Sequence, residues 1–352
     1  KIVYSIIVFG LLVIFHELGH FSVAKLTGVG VYEFSIGFGP RLAGFRKGGT
    51  HYNLRAIPLG GFVRMAGMDP EEDQREAAKN TDEQDSPPLI DPQKSFMKKS
   101  VLSRMAIIAA GPLMNFILAI LLFASSFIIF GIPANKNIVG DVIEGRPAAL
   151  AGIQPGDVIT RIDGTTIKTW EDILKKIHPN ANKEVKIEVK RDNQTKIFNI
   201  VPEKDPEGDY GKIGITYTTE KVGLFQSLKL GTIKTYQMLE LTVYFIGQMI
   251  AKEVPVELSG PVRITYELGK AVEMGFVFLI NIAGFLSIQI GLFNLLPIPA
   301  LDGSRLMFLG LEGIRGTPVD PSKENFIHLV GLAALLFLVI VITYYDIVRM
   351  LS

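Results

Sequence analysis

The stretch KIVYSIIVFGLLVIFHELGHFSVAKL, residues 1–26, decides how the rest of the chain is read. Residues 2–15 carry no charge; then His16, Glu17 and His20 arrive together. A helix through this run reaches the about 20 residues that a bilayer span needs. Ionisable side chains at membrane depth are costly and by default mark function. His16 and His20 are four apart, so a helix sets both imidazoles on one face, where both reach one ion. Glu17 leans over the same ion without ligating it. Two nitrogens plus a free carboxylate is the pattern in which a metal activates water and a base takes its proton.

The apolar character recurs along the chain. Of 352 residues 48% are hydrophobic, and the mean hydropathy is +0.32. A net charge of +1 leaves no single-sign field of the kind that binds nucleic acid. The absence of cysteine excludes disulfides, thiolate ligands and a cysteine nucleophile. The first apolar run lacks a basic leader region and a small-residue cleavage site, so a retained membrane helix is expected instead of a signal peptide.

Hydropathy predicts spans at about Ile2–Ala24, Met105–Phe130, Phe276–Leu296 and Phe326–Tyr345. The stretch 223–250 is apolar, but lysines and a glutamate interrupt it; an amphipathic helix at the interface is expected there in preference to a fifth span. Short alternating runs rich in Gly and aromatic residues predict β-hairpins over 31–68. Charge and proline predict a mobile cytoplasmic loop over 69–98. The resulting division is 1–30 (first spanning helix), 31–68 (β-region), 69–98 (loop), 99–134 (second span), 135–218 (a small soluble domain), 219–272 (amphipathic helix and linker), 273–315 (third span) and 316–352 (fourth span). Lys25, Arg41, Arg64, Lys98 and Arg104 flank the first two spans, and Arg305, Arg315 and Lys323 lie between the last two. The positive-inside rule puts these in the cytoplasm, with the soluble domain and both termini outside.

A catalytic zinc needs three protein ligands and an open position. The remaining histidines are His51, His178 and His328. Asp302 is the better third ligand, because it is a carboxylate with apolar sequence on both sides. Pro297 and Pro299 break the helix before it, and non-helical backbone at membrane depth is tolerated where it lines a protein cavity. The first and third spans both run inward, so His20 and Asp302 both approach the cytoplasmic side of the bilayer.

HELGH, NLLPIPALDG, the strands GFGPRL and GGFVRMAG, and AAGPLMN together resemble the site-2 protease family of intramembrane zinc metalloproteases. Within it they look like the bacterial RseP/RasP-type proteases that regulate sigma factors. The resemblance covers nearly the whole chain. It implies that His16, His20 and Asp302 bind one zinc ion per chain and that Glu17 is the general base. It implies that Asn294 and the turn of Pro297 and Pro299 help to hold an unwound substrate. It further implies that 31–66 is a membrane-re-entrant β-region. Its edge at Gly61, Phe62, Val63, Arg64 and Met65 would pair with extended substrate by β-addition.

The stretch PAALAGIQPGDVITRIDG, residues 147–164, resembles a bacterial PDZ domain, and 135–218 has room for a single copy, as in the single-PDZ branch of the family. YGKIGITY (210–217) looks like the loop and strand that cradle a peptide. Capture of a peptide C-terminus and service as a bulky lid are both open here. The fold expected is an α-helical polytopic membrane protein with about four transmembrane helices, a re-entrant β-region and one extracytoplasmic PDZ domain (α+β). The expected function is hydrolysis of peptide bonds in or near the spans of single-span membrane proteins, such as anti-sigma factors and remnant signal peptides, after a first extracytoplasmic cut. The partners expected are those substrates and the lipid bilayer of a bacterial cytoplasmic membrane, with the chain a monomer. A catalytically inactive membrane PDZ scaffold or chaperone is the alternative.

Overall fold

Long apolar runs without water must satisfy their backbone groups internally, and helices are the result. A computed structural model describes residues 2–68, 91–206, 208–254 and 259–351. The described helices, in chain order, are α1 (Ile2–Leu26), α2 (Val101–Phe130), α3 (Pro147–Ala151), α4 (Trp170–Ile177), α5 (Leu224–Ile250), α6 (Pro261–Met274), α7 (Phe276–Leu295), α8 (Asp302–Arg315) and α9 (Pro321–Leu351). Among the described residues, four helical segments are long and apolar enough to cross a membrane: Val3–Leu26, Val101–Phe130, Phe276–Leu295 and Ser322–Leu351. The chain divides into two units, one of 1–126 with 228–352 and one of 127–227.

In the first unit, strands β1 (Val31–Lys47) and β2 (Thr50–Met65) form an antiparallel hairpin that folds over on itself. Residues 31–36 pair on one side with 61–65 and on the other with 51–54, while 41–47 pair with 50–55. Gly61–Met65 is therefore an outer segment, and among the described residues no further strand pairs with it. Ala24, Val31, Met65, Phe96, Ile107 and Ile108 form a buried cluster that fastens this sheet to α1 and α2. Arg104 on α2 is buried and ion-paired with Glu312 on α8, with Nη1 3.0 Å from Oε2. That pair joins two segments distant in sequence.

Two expectations need revision here. Residues 69–90 of the loop expected over 69–98 lie outside the described residues. The remaining part, 91–98, is structured as two short 3-10 turns, because Phe96 is buried in the cluster just described and its N–H donates to the Ala66 carbonyl. The linker expected after the amphipathic helix in 219–272 is largely a helix of its own, α6, whose third residue, Arg263, donates its N–H to Asp346 of α9 at 3.0 Å. A tertiary cap of that kind has no local sequence signature.

The second unit also contains β3 (Ile132–Pro133), β4 (Val139–Val142), β5 (Val158–Ile162), β6 (Thr165–Thr166), β7 (Val185–Arg191), β8 (Gln194–Ile200), β9 (Glu203–Lys204), β10 (Gly211–Lys212), β11 (Ile215–Tyr217) and β12 (Thr219–Glu220). Its sheet runs β6-β5-β7-β8, all antiparallel. VKIEVKR alternates, so Val185, Ile187 and Val189 point inward, onto Ile159, Ile162, Ile173 and Ile177. Helix α4 starts with a capping box in which Thr169 and Asp172 satisfy each other's backbone N–H. The QPGD turn is pinned by Asp157, 1% exposed, which takes a two-pronged ion pair from Arg191 at 2.6 and 2.7 Å and the Gln154 N–H at 2.9 Å. Burial opposes the charge on Asp157, but the Arg191 guanidinium outweighs it and holds the carboxyl below its usual value.

Candidate metal centre and catalytic cavity

One turn of α1 presents His16 and His20 side by side, with their Nε2 atoms 3.2 Å apart. Asp302, the first residue of α8, brings Oδ2 to 3.0 Å from His16 Nε2 and 3.2 Å from His20 Nε2. Both histidines are buried. The three donors thus form a nearly equilateral triangle. Ligands about 2.0–2.1 Å from a tetrahedral zinc lie about 3.3 Å from one another, so the triangle fits that ion. Asp302 Oδ2 is buried and no hydrogen-bond donor is aligned on it among the described residues, although two imidazole nitrogens are close by. A shared cation satisfies all three atoms at once. Two neutral imidazoles and one carboxylate suit zinc and leave a fourth position for water or substrate.

The second layer explains why the imidazoles face this way. The Ile107 carbonyl on α2 accepts a hydrogen bond from His20 Nδ1 at 2.9 Å, which leaves the Nε2 lone pair free toward Asp302. The helices cross closely enough for this only because glycine stands on both. A methyl group at Gly19 would meet the Ala110 carbonyl oxygen at 2.2 Å, and one at Gly111 would meet His20 Nε2 at 2.2 Å.

Asp302 owes its place to a turn. Helix α7 ends at Leu295, and the prolines at 297 and 299 keep the chain from continuing as helix before α8. Ala300 sits at φ 76°, a left-handed conformation that costs a non-glycine residue energy. Its N–H donates to His328 Nδ1 of α9 at 3.2 Å, and Gly331, one turn further along α9, packs against Pro299 so closely that a methyl group there would lie 2.3 Å from the proline Cβ. The final helix thereby braces the turn that presents the carboxylate.

Glu17 lines a cavity of about 640 Å³ together with His16, His20 and Asp302. Phe62, Val63, Arg64 and Met65 form one wall and Asn294 part of another. Gly61 is close too, since a methyl group on it would lie 3.6 Å from Glu17 Cγ. Pro297 and Pro299 lie in the turn and not among the lining residues. His51 is in β2, opposite Glu33, and His178 follows α4 in the second unit, its ring tilted against that of Tyr210. Glu33, Arg55 and Arg305 also line the cavity, although the sequence marks Arg305 only as a positive flank of the spans and gives none of the three a place at the site. Glu33 accepts from Arg55 at 2.5 Å and from Asn53 at 2.7 Å. Glu33 and Arg55 lie in strands with alternating polar residues and Arg305 on helix α8, and nothing local sets them apart from ordinary solvated positions. His328 was weighed only as a ligand, and its actual bond, to a backbone N–H, follows no spacing rule.

Peptidase family M50 matches this chain over residues 4–338. Among curated proteins, the regulator of sigma-W protease RasP of Bacillus subtilis is 35% identical, with 98% of this chain and 97% of that protein covered. The zinc metalloprotease RasP of Geobacillus kaustophilus is 33% identical, with 99% and 97% covered. Among solved structures, the PDZ domain of an SdrC-like protein of Listeria monocytogenes is similar at 31% identity, over 24% of this chain and 90% of that one, with a TM-score of 0.22.

Proposed function

The chain belongs to peptidase family M50 and is a zinc metalloprotease, and from that premise we propose that it cleaves single-span membrane proteins within or near their spanning segments. The observation that carries this reading is the triangle of His16, His20 and Asp302 beside Glu17, in a cavity whose wall is an outer strand segment. A transmembrane helix hides its peptide bonds, and unwinding one in hydrocarbon leaves backbone groups unsatisfied at several kcal/mol each. The outer segment Gly61–Met65 offers replacement partners by β-addition.

Zinc held by the two imidazoles and Asp302 supplies Lewis acidity toward a peptide carbonyl and toward water. The rest is done by side chains of this protein. Glu17 accepts the proton of the attacking water and passes it to the leaving amine nitrogen. Phe62, Val63, Arg64 and Met65 fix the extended substrate alongside. Asn294 lines both the catalytic cavity and an apolar groove walled by Phe9, Phe245, Ile264, Phe285 and Phe293, which supports a lateral route for an apolar segment. Pro297 and Pro299 hold the far end of the site in shape.

The placement of Lys and Arg supports a multi-pass arrangement with the site toward the cytoplasm and both termini and 135–218 outside. The 135–218 domain is read as a PDZ module that admits only substrates already trimmed outside; a chain lacking it should process untrimmed substrates in cells, and unchanged selectivity would refute the filter. Anti-sigma factors and remnant signal peptides are the proposed substrates, one zinc ion per chain the proposed stoichiometry, and a monomer the working unit.

Zinc counted per chain, together with cleavage of a model transmembrane substrate by the Glu17→Gln variant, tests the chemistry. Retained zinc with lost cleavage is expected. Cleavage that survives in this variant removes Glu17 from its role, and a wild-type chain that binds no zinc removes the centre.

A further inference from the structure

One face of α2 serves both imidazoles. Ile107, Gly111 and Asn115 are spaced by four and so stack along one side of the helix. The first supplies a carbonyl to His20, and the second makes room for the His20 ring. Asn115 stands at the other ring: its amide Nδ2 is 3.4 Å from His16 Nδ1. Asn115 is 0% exposed, and its Oδ1 has no hydrogen-bond partner among the described residues. The Asn115 backbone carbonyl accepts from Ser287 Oγ on α7 at 2.7 Å, so the residue is held from two helices.

A histidine that offers Nε2 to a metal keeps its proton on Nδ1, and that N–H needs an acceptor. His20 has one in the Ile107 carbonyl. The atom of Asn115 that could serve His16 in the same way is the buried oxygen lacking a partner. A half-turn of the amide about its terminal bond exchanges Oδ1 and Nδ2 in nearly the same volume.

We propose that Asn115 is the positioning residue of His16, its Oδ1 accepting from His16 Nδ1–H in the zinc-loaded protein. The metal centre is then held by two matched outer contacts from one helix face, a backbone carbonyl for His20 and a side-chain carbonyl for His16. This inference rests on the zinc reading of the cavity.

The test uses the full-length protein in lipid nanodiscs, equilibrated in buffers of graded free zinc, with bound metal counted by mass spectrometry. Asn115→Leu keeps the volume and removes the acceptor; half-loading should move to about 10–100-fold higher free zinc. Asn115→Asp accepts but does not donate, and should load at the wild-type concentration or below. A leucine variant that loads like the wild type overturns the proposal. So does an aspartate variant that loads as weakly as the leucine one, because the amide N–H would then be the working group. Should the leucine variant fail to fold, the aspartate variant decides alone: weaker loading than wild type overturns the assignment, and equal or tighter loading supports it. A wild-type protein that takes up no zinc overturns the zinc reading itself, and this inference with it.

Discussion

The unit that carries the candidate metal centre and the 127–227 unit are built on different principles. In the smaller unit most of the architecture is announced nearby: alternating Val and Ile fill the core, a capping box starts α4, and the QPGD turn binds its own aspartate, with the Asp157–Arg191 pair as the longer-range clasp. In the larger unit the decisive contacts join residues far apart. His20 meets Ile107, Arg104 meets Glu312, Ala300 meets His328 and Asn115 meets Ser287. Hydrophobic burial needs only the right pattern, whereas a ligand triangle with edges of 3.0–3.2 Å needs helices held at fixed distances. Lipid offers no hydrophobic drive between helices, so close approach through glycine and interhelical hydrogen bonds takes over.

That contrast can be tested by substitution. The largest effect is expected for Glu17→Gln, where loss of the general base should lower cleavage about 10²–10⁴-fold while zinc content and overall stability stay as in the wild type. Cleavage rates with metal analysis check both halves. Next comes Gly111→Ala, a single methyl group aimed at His20 Nε2. Half-loading should shift to about tenfold higher free zinc or more, with hydrogen exchange over residues 127–227 unaltered. Ile187→Ala should act the other way round. A fully buried isoleucine in the smaller unit is truncated, costing about 2–5 kcal/mol, visible as faster hydrogen exchange there and leaving zinc in place. If both substitutions loosen both units equally, the division into independent principles fails.

The smallest effect is expected at Asp157. Its carboxyl titrates below the unfolded value, so the Arg191 pair contributes stability that is complete above the unfolded carboxyl pKa of about 3.9 and is lost as pH falls through the lower folded value. Asp157→Asn should cost the smaller unit about 2 kcal/mol at neutral pH and flatten that acid dependence. Unfolding of residues 127–227 followed at several pH values gives the comparison; a variant with the same acid midpoint as the wild type would remove the pair from the account.

Much of the candidate centre is legible in the sequence. HELGH offers two metal donors and a neighbouring carboxylate by its helical period, and Asp302 stands out as a carboxylate in apolar surroundings after two prolines. Glu33 and Arg55 did not stand out, because a polar residue in a strand looks the same whether it faces water or a cavity. His328 was visible as a histidine, but its partner is a backbone N–H in a left-handed turn twenty-eight residues earlier. Asn115 was visible within AAGPLMN, without any sign of which ring it faced.

Read without coordinates, the amino acids were enough to establish the apolar helices, the alternating strands of the small unit and the kinds of donor available for a metal. These follow from local period and from the cost of putting charge in lipid, both properties of neighbouring residues. Folding in three dimensions alone settled that His16, His20 and Asp302 share one triangle, that Gly61–Met65 lies at the edge of the cavity, and that α2 and α9 supply the outer contacts. Those outcomes depend on helix crossings, and a crossing distance is set by pairs of residues that no one-dimensional pattern brings together.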